Sequence, residues 1–318
     1  MAREPGTMAA DTGGQKEVLH MSSLPTATRR RGLVIAALTA VVSGVAVFLN
    51  GYGVRAWTDA TAYTTVKNMI AAVLIGSAAL PLLRSGRIPH TRAVWGRLTA
   101  IGVIGGGIPF ILFFEGLAIT DPARAAFIHK SLVVWVAVLA APLLSEHLNR
   151  FHVAAIGLLF AGQALLGPLG GFGWGRGEWM ILAATLMWTA EVMLLKRVLP
   201  NVDATIAGAA RLGIGAVVLL GWTAATGGLS AVAAAGPAAW GWVAITAGTL
   251  ALFVVGWFTA LALAPATDVT AMLVPAAAIT ALLSTGLRGA AAPSAVGIVV
   301  MAAGLVALVV AGRRTAAQ

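Results

Sequence analysis

"AAFIHKSLVVWVAVLAAPLLSEHL", Ala125–Leu148, is the stretch on which the reading of the chain turns. It is as apolar as hydrocarbon except that His129 and Lys130 stand side by side within it. A charge at the centre of a membrane span costs about 2.5–3.5 kcal/mol on insertion scales. Either the stretch is a soluble core helix with an odd pair of bases, or it crosses a bilayer and keeps those bases for a purpose. The rest of the chain decides between the two.

The chain has 318 residues, 59% hydrophobic and only 10% charged, with mean hydropathy +0.91. Soluble domains carry about 25% charged residues, so the composition lies far outside that class. The apolar runs have the length that crosses ~30 Å of hydrocarbon as helix. They are continuous and do not alternate, which favours helices over a barrel. Spans are predicted at 32–50, 65–83, 98–119, 123–144, 152–170, 179–198, 204–224, 240–262, 269–287 and 295–312. Residues 1–31 read as a disordered cytoplasmic tail and 313–318 as a second short tail. Arg29–Arg31 before an apolar run has the look of a signal peptide, but the many spans that follow make it a basic anchor of the first helix.

Lys and Arg in the short loops set the orientation. With the N-terminus inside, the cytoplasmic side collects Arg29–Arg31, Arg84, Arg87, Arg92, Arg97, Arg150, Lys196, Arg197, Arg313 and Arg314. The outer side keeps Arg55, Arg124, Arg176 and Arg288. The expectation is a multi-pass protein of the cell membrane with both termini in the cytoplasm. The net charge of +10 is largely this asymmetry, which argues against nucleic acid as a partner. There is no cysteine, hence no disulfide or thiol chemistry, and no zinc-ligand, phosphate-loop or nucleophile-elbow pattern.

The chain also repeats. "VKNMIAAVLIGSAALPLL" from Val66 is similar to "ARLGIGAVVLLGWTAATG" from Ala210, setting Lys67 opposite Arg211. "VVWVAVLAAPLLSEHL" from Val133 is similar to "PAAAITALLSTGLRGA" from Pro275, and Gly162 and Gly304 keep the same spacing of 142. Halves of 32–170 and 171–312 would each hold five spans, an odd number, so the second inserts upside down relative to the first. The predicted fold class is an all-α integral membrane protein of ten transmembrane helices in two inverted five-helix repeats. That is an architecture of secondary transporters, with the solute site near the midplane.

The run "GLAITDPARAAFIHKSLVVWVAVLAAPLLSEHLNRFHVAAIGLLFAGQALLG", Gly116–Gly167, resembles the EamA-type members of the drug/metabolite transporter superfamily. The likeness lies in the small-residue turn "AITDPARAA", Ala118–Ala126, the helix ending in "LLSEHL" and the "AAIGLLFAGQALL" helix. It implies transport of small organic solutes, commonly export of amino acids, other metabolites or drugs, with no cofactor and no ATPase partner. The chain departs from the family in places. Val133 stands where the first half usually has a proline, while Pro275 is retained in the second. Arg288 occupies the place related to Glu146, and His129-Lys130 is not part of the common pattern.

Lys130 falls roughly 5 Å from the midplane at ~1.5 Å per residue, too deep for easy snorkelling. Glu115 in the third span and Glu191 in the sixth are its candidate partners. Two readings compete: an ion pair with Glu115, or an anchor for a carboxylate on the solute. Buried pairs stabilise less than apolar packing, which favours the second. His129 points about 100° away around the helix and lines the same cavity or packs. Trp188 and Glu191, three residues apart, suit a wall that binds an amine or an aromatic solute. Trp135 also falls inside a span, whereas tryptophans 57, 95, 174, 179, 240 and 242 read as an interfacial belt. Lys67 is close enough to the outer edge to snorkel. Arg211 is deeper and stays among the binding candidates, although a structural role for both bases is the plainer reading. Gly102, Gly105, Gly106 and Gly107 would let the third helix bend and approach a neighbour.

The expected function is that of a secondary transporter, an exporter of small metabolites such as amino acids or amphipathic drugs, and not an enzyme. The expected partners are a small-molecule solute, the lipid bilayer, a coupling proton carried by Glu191 or Glu115, and a second copy of the chain in a homodimer; no metal is expected. The competing class is an integral-membrane enzyme acting on lipid or prenyl substrates, which would need clustered acids or histidines at the membrane surface. The loops offer none.

Overall fold

Backbone amides in hydrocarbon find no water, so an apolar run must close its own hydrogen bonds as helix. A computed structural model of the chain describes residues 25–87, 91–120, 122–167 and 174–315, and among them there is no strand. The helices are α1 (Thr26–Arg55), α2 (Ala60–Arg84), α3 (Arg92–Ala118) and α4 (Pro122–Lys130 continuing as Leu132–Leu144). The chain goes on through α5 (Arg150–Leu165), α6 (Arg176–Val198), α7 (Ala204–Ala225) and α8 (Pro237–Leu263). It ends with α9 (Ala266–Met272 continuing as Ala276–Arg288) and α10 (Ala295–Thr315). A five-residue helical turn, Leu229–Ala233, joins α7 to α8. Among the described residues nine helices are long and apolar enough to cross a membrane, which makes this a multi-pass membrane protein. The exception is α5, whose 16 residues span ~24 Å; the predicted end of that span at 170 lies outside the described residues.

One boundary and one interfacial residue differ from the sequence reading. Helix α1 starts at Thr26, so the last residues assigned to the tail are helical; the tail before residue 25 lies outside the described residues. Trp57, expected at an interface, is buried, its Nε1 donating to the Ala239 carbonyl at 3.1 Å. Capping follows simple chemistry: the Asp59 carboxylate accepts from the Ala62 amide at the start of α2, and Asp203 from the Thr205 amide at the start of α7. Those aspartates stand 144 residues apart, the spacing of Lys67 and Arg211.

Packing pairs the two halves helix by helix. The most extensive partnerships are α5 with α10, α1 with α8, α2 with α7, and α3 with both α6 and α7. Each has a counterpart when every helix is exchanged for the one five places away: α1–α8 for α6–α3, α2–α8 for α7–α3, α1–α9 for α6–α4. Helices α2–α7, α4–α9 and α5–α10 are their own counterparts. Close approach is bought with glycine at two of these seams. A Cβ on Gly162 would meet the Met301 amide of α10 at 2.7 Å, and one on Gly304 would meet the Leu159 amide of α5 at 2.9 Å.

Both fourth helices are interrupted near mid-length. In α9 the break falls at Leu273–Pro275, where Pro275 lacks an amide hydrogen and the amides of Val274, Ala276 and Ala277 turn to carbonyls three residues back. In α4 it falls at Ser131 with no proline present; the Ser131 and Val134 amides make the same tighter bonds, and the Ser131 hydroxyl donates to the Ile128 carbonyl at 2.6 Å.

At the end carrying both termini the bundle is closed by buried polar groups. The Arg29 guanidinium donates to Asp268 at 2.6 Å and to the Gly312 carbonyl at 2.8 Å, tying the start of α1 to α9 and the end of α10. His152 Nε2 lies 3.2 Å from the other Asp268 oxygen. Glu146 accepts the first amides of α9, from Ala266 and Thr267, where the positive end of the helix dipole favours an anion. Lys196, wholly buried, donates to the Leu261 and Ala264 carbonyls at the end of α8.

Candidate binding cavity

Between the halves, level with the two helix breaks, lies a cavity of about 270 Å³. It is lined by α1, α2, α3, α4, α6, α7, α8 and α9, and both interruptions face it, through Leu132 and Val133 on one side and Leu273 and Val274 on the other. Five of the seven binding candidates read from sequence meet on its wall: His129, Lys130, Trp188, Glu191 and Arg211.

Helix α3 supplies an aromatic face. Phe110, Phe113 and Phe114 follow one another at i, i+3, i+4 and so share one side of the helix. Phe113 meets the rings of His129 and Trp188 at 5.3 and 5.6 Å, and His129 meets Trp188 at 4.8 Å. The sequence of α3 makes room for this. Gly102–Gly107 winds as a π-helix, a form that loosens the usual carbonyl pairing. The Gly105 carbonyl receives two side-chain donors, Trp188 Nε1 and Arg211 Nη2, each at 2.9 Å. A Cβ on Gly105 would collide with the Glu191 carboxylate.

Two polar pairs occupy related places. Arg211 of α7 donates through Nε to Glu191 of α6, and its guanidinium carbon lies 5.7 Å from the Phe110 ring. Lys67 of α2 donates to the Asn50 side-chain oxygen of α1 at 3.2 Å and sits 5.7 Å from the Phe114 ring, one turn further along α3. The Tyr63 hydroxyl also meets that Asn50 oxygen at 2.6 Å. All four paired groups border the cavity, with Glu191, Lys67 and Arg211 each at most 6% exposed. Lys130 borders it too, and among the described residues no carboxylate lies within ion-pair distance of Lys130 or Lys67. The wall thus holds three cations and one carboxylate, and that carboxylate is already engaged.

Several sequence expectations need correcting. Glu115 does not reach the cavity or Lys130: it is exposed, because it lies about 100° past Phe114, off the inward face of α3. The partner of Glu191 is Arg211 and not Lys130. Trp135 is 37% exposed and turned outward, its indole donating to the Ser131 hydroxyl; two residues beyond Val133 is about 200° around the helix. Lys67 does not snorkel. Asn50 was missed altogether, since a lone amide near the end of an apolar run carries no signal until its partner is known. Among the described residues no three His, Asp or Glu side chains gather where a metal ion could be held.

Residues 30–167 match the model of the EamA-like transporter family, which bears out the resemblance read from Gly116–Gly167. A protein of known crystal structure, 19% identical, superposes over 90% of this chain and 99% of its own length with a TM-score of 0.69. At that identity the likeness shows the fold alone, and it extends through both halves. The comparison with curated proteins finds no match.

Proposed function

We propose, from the match of residues 30–167 to the EamA-like transporter family, that the whole chain is a secondary transporter built as two inverted five-helix repeats. The observation that carries this reading is the cavity at the level of two interrupted helices. Broken helices around a mid-membrane site are how secondary transporters expose one solute alternately to either side. The repeat is supported by the interchange of helix partnerships and by the matched pairs Asp59/Asp203 and Lys67/Arg211. The Lys and Arg distribution supports placing both termini in the cytoplasm, with the Arg29–Asp268–His152 closure on that side.

The solute is a small organic molecule, of the kind of an amino acid or an amphipathic drug, moved outward as the family resemblance implies. Its apolar part packs on Phe113, Trp188 and His129, and an anionic group meets the Lys130 ammonium. In an apolar cavity that ammonium is the group able to replace the water a carboxylate loses. Glu191, released from Arg211, is the carboxyl placed to carry a coupling proton. The test is solute flux in vesicles holding the purified protein, measured against a panel of amino acids and aromatic acids with and without a pH gradient. Gradient-dependent movement of a subset is expected. Flux equal to that of protein-free vesicles across the panel would overturn the reading.

A further inference from the structure

The two polar pairs bordering the cavity differ in one respect. On α7 the cation is Arg211 and its α6 neighbour is the carboxylate of Glu191; on α2 the cation is Lys67 and its α1 neighbour is the neutral amide of Asn50. Asn50 and Glu191 are 141 residues apart, within three of the spacing between Lys67 and Arg211, and each pair sits over its own phenylalanine of α3. One cation is therefore neutralised by the protein and the other is not. We infer that the cavity contains two related anion sites, one filled by the protein's own Glu191 and one, at Lys67 on the wall that also carries Lys130, left for the anionic group of the solute.

This deepens the transporter reading by naming the substrate class: an organic monoanion with one compact anionic head and an aromatic body. A neutral analogue would leave Lys67 and Lys130 buried with nothing to replace water. In a dianion with heads at opposite ends of its body, the second head would reach the Arg211 end, where Glu191 already occupies the place. Ring contacts run from Phe114, which Lys67 faces, through Phe113 to Trp188, which shares the Gly105 carbonyl with Arg211, so a flat apolar body has a surface to lie on while its head reaches the Lys67 end.

The asymmetry can be moved by single atoms. Asn50→Asp gives Lys67 its own carboxylate and fills the open site from within. Glu191→Gln empties the closed site and makes it resemble the Lys67–Asn50 pair. The experiment measures equilibrium binding to the purified full-length protein in detergent, by calorimetry, with three probes: phenylacetate, the neutral phenylacetamide and the dianion 1,4-phenylenediacetate. Because binding is read without transport, a protein that binds as described but moves nothing in vesicles refutes the transporter reading and leaves this inference standing.

The wild type should bind phenylacetate and discriminate against both other probes. Asn50→Asp and Lys67→Met should each lose phenylacetate affinity by about tenfold or more, the range of a lost charge-assisted hydrogen bond. In Glu191→Gln the affinity of the dianion relative to the monoanion should rise. Folding of each variant is checked by its elution profile, and if Glu191→Gln fails to fold, the other two variants decide. Failure of phenylacetate to bind, equal binding of the acid and the amide, or wild-type binding by Asn50→Asp would each overturn the inference.

Discussion

Replacing Gly106 by alanine adds one methyl group where α3 and α7 touch backbone to backbone. The new Cβ would fall inside van der Waals contact of the Arg211 carbonyl oxygen and 3.1 Å from both the Arg211 carbonyl carbon and the Gly215 Cα. None of these atoms can rotate aside, so relief requires the helices to part. Overpacking of this kind costs about 1–3 kcal/mol. Parting the helices also stretches the 2.9 Å bond from Arg211 to the Gly105 carbonyl, and a hydrogen bond to a charged group is worth about 1.5–3 kcal/mol. A destabilisation of about 2.5–6 kcal/mol is expected if both are lost. Gly215→Ala should behave alike, since its Cβ would meet the Gly106 backbone. The double variant should cost less than the sum of the two, because one separation relieves both. Gly213→Ala, also on α7 and with nothing within 4 Å, should alter stability by less than about 1 kcal/mol. The assay is reversible unfolding in detergent followed by tryptophan fluorescence. Equal stability of Gly106→Ala and Gly213→Ala would refute the close packing of α3 on α7.

Glu146→Gln removes the charge that holds the Ala266 and Thr267 amides and should cost about 1–2 kcal/mol in the same unfolding assay; no change would mean that α9 is not anchored there. Arg211→Met and Glu191→Leu should each destabilise by about 3–5 kcal/mol by stranding the other charge, while the double variant recovers much of the loss. Purely additive losses would contradict the pair. A reporter active only outside the cytoplasm, fused after Arg314, should remain silent, and strong activity would place the C-terminus on the other side.

The helices were legible because hydrocarbon leaves an apolar run of that length only one backbone solution. The orientation of side chains was less so. Glu115 and Lys130 lie close in sequence across a short turn, but proximity along the chain says nothing about which face of α3 points inward. The spacing of Phe110, Phe113 and Phe114 contained that answer, read as a stripe and not as separate aromatics. Lys67 and Arg211 were visible as matching letters, yet their depth was judged from distance to the span end. Counting apolar residues cannot show that a neighbouring helix covers the Lys67 end of α2. The break at Ser131 had no proline to announce it, whereas the one at Pro275 did. Asn50 became meaningful only once α1 and α2 brought it to Lys67.

The central claim is that the Lys130 ammonium receives the anionic part of a transported solute. The direct measurement compares solute efflux from vesicles containing equal amounts of the wild type, Lys130→Met and Lys130→Arg. Methionine matches the aliphatic stem, so the variant should fold and insert, and its transport of acidic or zwitterionic solutes should fall by about tenfold or more. Arginine should also be impaired, since a planar guanidinium does not replace a compact ammonium. Transport by Lys130→Met at wild-type rate and affinity would contradict the account.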